Sequence, residues 1–156
     1  MINTYCYDTK LGEITIVEEN DFITKIYFGN SKEINANYIE TELIKDTKKQ
    51  LEEYLIGNRK IFDLPINPKG TKFQSDVWKS LIEIPYGKTV SYKEIAISIG
   101  NKKASRAVGM ANNKNPILII IPCHRVVGSN GKLVGYAGGL DIKKKLLSIE
   151  KENFNK

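Results

Sequence analysis

Hydrophobic and polar residues alternate along the first part of the chain. Positions 3–7, 12–18 and 22–28 alternate in strand fashion, with Ile14 and Ile16, then Phe22, Ile26 and Phe28, on single faces. Asn20-Asp21 is predicted as the turn between the last two strands. The period then changes to that of a helix. Leu43, Ile44, Thr47, Leu51, Tyr54 and Leu55 fall on one stripe, and Gly57 stands where a C-cap glycine belongs. Ile61 to Leu64 reads as a short extended piece, after which Pro65, Pro68 and Gly70 punctuate the chain. The pattern predicts an α+β protein with a small N-terminal antiparallel-sheet domain over 1–66 and a second domain over 67–156.

The second half is predicted to open with a helix at 72–84, started by a Thr71/Gln74 capping box and faced with Phe73, Val77, Trp78, Leu81 and Ile82. Pro85-Tyr86-Gly87 ends it. Ser91 and Glu94 repeat the capping pattern before a short helix with Ile95 and Ile99 inward and Gly100 beyond its end. A further helix spans Ala104 to Ala111. Two short helices around a glycine-containing turn outline a helix-turn-helix, although helical hairpins also occur in folds that touch no DNA. Ala104, Ala107, Gly109 and Ala111 are small, with Arg106 the one long charged side chain in their midst. Such a face admits the close approach of either another helix or a nucleic-acid backbone. Ile117 to Ile121, apolar at every position, reads as an extended run buried on both sides. Val126-Val127 and Leu133-Val134 read as a hairpin, and a last helix covers Asp141 to Glu150.

Composition narrows the function. The 156 residues fit one or two domains on a prior of roughly 100–200 residues each. No apolar run nears the ~20 residues of a membrane helix, and the N-terminus lacks a basic start followed by an apolar stretch, so a cytoplasmic protein with no membrane partner is expected. Two cysteines cannot build a disulfide framework, and with one histidine a metal site is not expected. Residues 1–64 hold 8 Lys/Arg and 12 Asp/Glu, whereas residues 65–156 hold 16 and 6. The basic half suits a polyanion, nucleic acid first, or is a solvated lysine surface.

Cys6 lies in an alternating strand and fits a small buried hydrophobe. Cys123 differs, because it sits at an element boundary beside His124, the only histidine, and Arg125. A thiolate is the nucleophile, and cationic neighbours would draw its pKa toward neutrality. Glu150 follows Leu146 and Leu147 by four and three residues and so shares their inward face. It is either a carboxylate near a helix end or the partner of His124, in a Glu–His–Cys series.

These residues carry a resemblance. Ile121-Pro122-Cys123-His124-Arg125-Val126, with Asn115-Pro116 before it and Gly135-Tyr136-Ala137-Gly138-Gly139-Leu140 after it, resembles the active-site signature of the O6-alkylguanine-DNA alkyltransferases. The likeness runs through Pro85 to Tyr92 and Ser105 to Gly109, and on to Leu146 to Glu150. It implies a ribonuclease H-like N-terminal domain and a winged-helix-like C-terminal domain. It implies a monomer, without an obligate protein partner, that flips O6-alkylguanine (less readily O4-methylthymine) from double-stranded DNA through the minor groove. The alkyl group then passes irreversibly to Cys123. By position, His124 is the base acting through a water, Glu150 orients it, Asn115 holds the loops, and Tyr92 donates to N3 of the leaving guanine. Arg106 fills the vacated stack, Ala104, Ser105, Ala107, Gly109 and Arg125 join it at the DNA, and Tyr92, Val126, Tyr136 and Ala137 receive the base. The Cys123 carbonyl also reads the guanine edge on this likeness. No cofactor, metal or transcriptional-activator role is implied; family members that bind zinc do so through Cys and His, and the N-terminal half has only Cys6. Ala137 replaces a serine found in some members. Two rivals remain: a cysteine hydrolase, awkward for adjacent Cys and His, and a non-catalytic alkyltransferase-like or winged-helix DNA binder.

Overall fold

A computed structural model describes residues 1–156. The chain divides into two compact units, Met1–Lys69 and Gly70–Lys156. No helix is long and apolar enough to cross a membrane.

The first unit holds strands β1 (Ile2–Thr9), β2 (Gly12–Glu19), β3 (Phe22–Phe28) and β4 (Ala36–Tyr38), then helix α1 (Glu42–Leu55). The sheet order is β3-β2-β1-β4. Three strands are antiparallel, but β4 lies parallel to β1, so the sheet is mixed rather than purely antiparallel. Asn20 and Asp21 both take positive φ, 53° and 66°, which matches the right-handed strand twist in a two-residue turn. A bulge gives β3 one residue more than β2 near Val17 and Glu18. The alternation slips there, so Ile23 is buried and Phe22, expected on the face of Ile26, is 43% exposed. Thr41 caps α1 by accepting from the Ile44 amide, and Ile44, Leu51, Tyr54 and Leu55 pack its buried face over the sheet.

The second unit starts with α2 (Lys72–Ile82), and its capping box at Thr71 and Gln74 is complete. Val77, Trp78 and Leu81 are buried, while Ile82 faces out. The Trp78 indole N–H donates to the Ala111 carbonyl at 2.9 Å, which joins α2 to α4 (Ser105–Asn113). Helix α3 (Tyr92–Ser98) packs against both, and with α4 forms the helix-turn-helix. Strands β5 (Val90–Ser91) and β6 (Val126–Val127) pair in parallel. The expected hairpin between Val126-Val127 and Leu133-Val134 is therefore absent. The two-residue β6 pairs with β5, leaving only a turn closed by Gly128 N–H on the Lys132 carbonyl. Helix α5 (Leu140–Glu152) turns Lys143, Leu146, Ile149 and Glu150 inward.

Candidate active site

Ile117, Leu118, Ile119 and Ile121 are buried as their apolarity requires, but the run is coiled rather than extended. Ile121 N–H donates back to the Ile117 carbonyl, and Ile119 sits at φ 73°, an uncommon region for a β-branched residue. Asn115 stabilises this coil. Its Nδ2 donates to the Ile121 carbonyl at 2.8 Å and its Oδ1 accepts from the Ile117 amide at 3.0 Å. Several of the segment's backbone groups thus find their bonds locally. The coil ends in a 3-10 turn over Cys123–Arg125.

Cys123 is 1% exposed. Burial pushes its thiol up to about 11, against weaker downward pulls from the Asn115 side chain and the Lys143 charge. The expected drift toward neutrality is thus corrected: removal from water disfavours the thiolate more than its neighbours favour it. His124 is fully buried, and its Nε2 lies 2.6 Å from Glu150 Oε2. Burial lowers the imidazole below its ordinary value, opposed by Glu150 and assisted by Arg125 and Lys143. Burial would raise Glu150, but bonds and charges from His124 and Arg125 outweigh it and bring the carboxyl down to about 2. A neutral His124 facing this carboxylate carries its proton on Nε2, which makes Nδ1 the acceptor.

Arg125 corrects the expectation of a DNA contact. It is 7% exposed and turned inward, with Nε 2.8 Å and one terminal nitrogen 3.1 Å from the two Glu150 oxygens. Its other terminal nitrogen donates to the Ile84 carbonyl at 2.7 Å. The Gly87 amide adds a fourth donor to Glu150 at 3.0 Å. Gly87 has φ 79°, and a Cβ there would lie 2.2 Å from the Phe154 ring, so only glycine delivers that amide.

Tyr92 stands at the start of α3, beside the β5–β6 pair that follows the Cys123 turn. Its hydroxyl donates to the Val134 carbonyl at 2.7 Å. Tyr136 is buried, and its hydroxyl has no hydrogen-bond partner. Both phenols are raised by burial first and by the nearby Cys123 second. Ala137 is exposed and Val126 buried. Arg106 and Ala107 are exposed on α4, with Ala104, Ser105 and Gly109 half-buried. A cavity of about 250 Å³ between the start of α2 and α4 is lined by Phe73, Ala107 and Met110 and does not include Cys123.

Two further residues belong to this cluster. Lys143 is wholly buried, and its ammonium donates to the carbonyls of Val126 (2.6 Å), Val134 (2.9 Å) and Gly135 (3.1 Å). Burial lowers it to about 8. Asn112 Nδ2 lies 3.3 Å from the Cys123 carbonyl, which also accepts from the Val126 amide. Spacing gives the inward face of each helix but not the acceptors these side chains reach. Lys143 is one turn before Leu146 and two before Glu150, and Asn112 follows Val108 by four residues. No group of three or more His, Cys, Asp or Glu side chains is placed to hold a metal ion.

The sequence and fold are similar to known proteins. Residues 72–152 match the DNA-binding domain of 6-O-methylguanine DNA methyltransferase, and residues 2–68 its ribonuclease-like domain. The chain is 59% identical over 150 residues to a methylated-DNA–protein-cysteine methyltransferase of Methanosarcina barkeri, covering 94% of this chain and 95% of that protein. It is 44% identical over 155 residues to the constitutive methylated-DNA–protein-cysteine methyltransferase of Bacillus subtilis, covering 94% of each. Its fold is similar to that of the Mycobacterium tuberculosis OGT solved in complex with DNA, with a TM-score of 0.91, 39% identity, and coverage of 97% and 94%.

Proposed function

The chain belongs to the 6-O-methylguanine DNA methyltransferase family, and from that premise we propose that it clears O6-alkylguanine from duplex DNA by taking the alkyl group, once, onto its own Cys123. It is a methylated-DNA–protein-cysteine methyltransferase, an enzyme of DNA repair by alkyl transfer. One observation carries the finer reading. A buried thiol, a neutral imidazole oriented by a carboxylate, and a phenol donor converge in a single unit. A single chain supplies every member of the site, which supports reading the protein as a monomer.

O6 of guanine is out of reach inside a duplex, and flipping it out costs a few kcal/mol, less for a base that pairs poorly. Arg106, exposed on α4, would fill the gap. Ala104, Ser105, Ala107 and Gly109 would let the helix backbone approach the minor groove. The Tyr92–Val134 bond must open for the base to reach Sγ, and its opening frees the phenol. The Tyr136 hydroxyl, unpartnered at a penalty of about 1–3 kcal/mol, would gain a partner. The Cys123 carbonyl already accepts two bonds, so guanine-edge reading falls to the second lone pair of Val126 and the amide of Ala137.

The thiol is protonated before reaction, so its proton passes through a water to His124 as Sγ attacks the alkyl carbon. The S–C bond forms while the C–O6 bond breaks, and the electron pair enters the purine. Tyr92 protonates N3, stabilising charge that develops in the transition state. His124 then returns the thiol proton through solvent to the phenol. The step is redox-neutral and requires no cofactor. The thioether product offers water no activated carbon, which makes transfer stoichiometric. O4-methylthymine, with the same ether linkage but a smaller ring, is the poorer substrate.

Weighing the protein after incubation with duplex DNA containing O6-methylguanine tests this. A gain of one CH2 on the Cys123 peptide, reaching a plateau at one per molecule, is expected. An unmodified Cys123 under excess substrate, with DNA still bound, would replace the reading with a non-catalytic binder. Arg106→Ala is expected to slow transfer from duplex far more than from the free modified base.

A further inference from the structure

Arg125 has no role in the scheme above, yet it is buried and held by three hydrogen bonds. It grips both oxygens of Glu150, donates to the Ile84 carbonyl, and lies 5.6 Å from the centre of the Tyr86 ring. Planar guanidinium and planar carboxylate meet here in the two-pronged geometry that lysine cannot reproduce. The same carboxylate receives the His124 N–H on Oε2, so one anion is divided between a permanent cation and the imidazole.

We propose that Arg125 is a positioning residue for alkyl transfer, whose grip on Glu150 fixes the turn of the His124 ring and keeps that ring a neutral acceptor for the Cys123 proton. This rests on the alkyl-transfer reading only for its kinetic consequence. The physical step is electrostatic. Were Glu150 to face His124 alone, the buried carboxylate would draw a proton onto the imidazole, because an isolated buried charge is compensated by the nearest titratable group. Arg125 supplies that compensation without a proton. The other charged or titratable groups acting on this pair are Lys143 from α5, which disfavours a cationic His124, and Tyr86 beside Glu150. Both remain when Arg125 is replaced. Arg125 also pulls His124 down directly, in the direction the proposal requires.

Because His124 is the only histidine, its ring nitrogens can be followed by ¹⁵N NMR in the intact protein without DNA. In the wild type the ring is expected to stay neutral, in the Nε2–H tautomer, through its ordinary titration range. In Arg125→Met, of similar length and no charge, the titration should move upward by about one pH unit or more, about tenfold in proton affinity. The transfer rate constant should acquire an acid limb that moves with it, while affinity for undamaged duplex stays unchanged. Arg125→Lys, which keeps the charge but not the fork, should restore the titration in part and the rate less. The lysine variant decides the matter if the methionine variant does not fold. A wild-type His124 titration in the folded variant would overturn the proposal, as would a loss of rate equal at every pH. Loss of duplex affinity with transfer otherwise intact would return Arg125 to the DNA surface. A wild-type protein that leaves Cys123 unmodified would sink the alkyl-transfer reading alone, since the NMR titration still decides whether Arg125 sets the state of His124.

Discussion

The two units bury polar groups on different terms. In Met1–Lys69 the buried polar side chains are mostly neutral: Thr4, Thr15 and Thr47 donate to backbone carbonyls, and Gln50 bonds the backbone of Asp63. The one buried carboxylate, Glu18, accepts from the Thr41 hydroxyl. In Gly70–Lys156 the interior holds His124, Arg125, Lys143 and Glu150, none more than 7% exposed, bonded to one another and to carbonyls. Neutral bonds of the first kind contribute about 1 kcal/mol each and hold a scaffold. Buried ions cost several kcal/mol apiece to desolvate and are recovered only by close pairing. The first unit is packed around mostly neutral side chains, whereas the second buries four ionisable side chains whose charges and polar atoms are met by one another and by backbone carbonyls.

Glu150→Ala should break this contrast most sharply. It leaves Arg125 uncompensated and should remove about 3–5 kcal/mol from the second unit in urea denaturation. Single-turnover transfer should fall by roughly a hundredfold or more as His124 loses its orienting partner. Glu18→Gln, the counterpart in the first unit, should stay within about 1 kcal/mol.

Ile44→Ala, in the fully buried face of α1, should cost about 2–5 kcal/mol by leaving a cavity. Per folded molecule, transfer to Cys123 should be unchanged; a slowed reaction would mean the first unit does more than pack.

Acid should act on the second unit through Glu150. Its folded carboxyl lies near 2, below the ordinary 4.5, so the unfolded chain binds the extra proton between these values. The stabilisation is fully present above about pH 4.5 and is lost as pH falls toward 2. His124, lowered by burial, acts in the same direction, since unfolding exposes a ring that protonates more readily as pH falls. Denaturation midpoints measured against pH should flatten across that lower window in Glu150→Gln.

The smallest effect concerns the surface of α4. A Cβ added at Gly109 meets only the Tyr92 ring, at 3.8 Å, so helix packing does not demand glycine there. Gly109→Ala should therefore stabilise the fold by up to about 0.5–1 kcal/mol. Affinity for undamaged duplex should weaken by up to roughly tenfold, because the added methyl meets the groove. Unchanged affinity would remove Gly109 from the surface that meets DNA.

Local chemistry made much of this legible in advance. Alternation and turn residues located β1 to β3, and cap residues located α1 to α3, because those signals act within a few residues. Helix periodicity placed Glu150 on the inward face of Leu146 and made His124 one of two readings for it; the structure brings the two side chains together. Tertiary structure decided the rest, wherever the partner was distant in sequence. Apolarity established that Ile117 to Ile121 is buried but not whether it is extended, since burial is blind to backbone conformation when Asn115 can bond the Ile117 amide and the Ile121 carbonyl. The bulge in β3 and the parallel pairing of β5 with β6 depend on registers that no single segment carries. Above all, charge type did not reveal location. Arg125 and Lys143 look like surface cations in the basic half, and only the convergence of α5, β6 and the Cys123 turn gave them buried acceptors. That same enclosure, by excluding water, raised the thiol that an exposed neighbourhood of cations would have lowered.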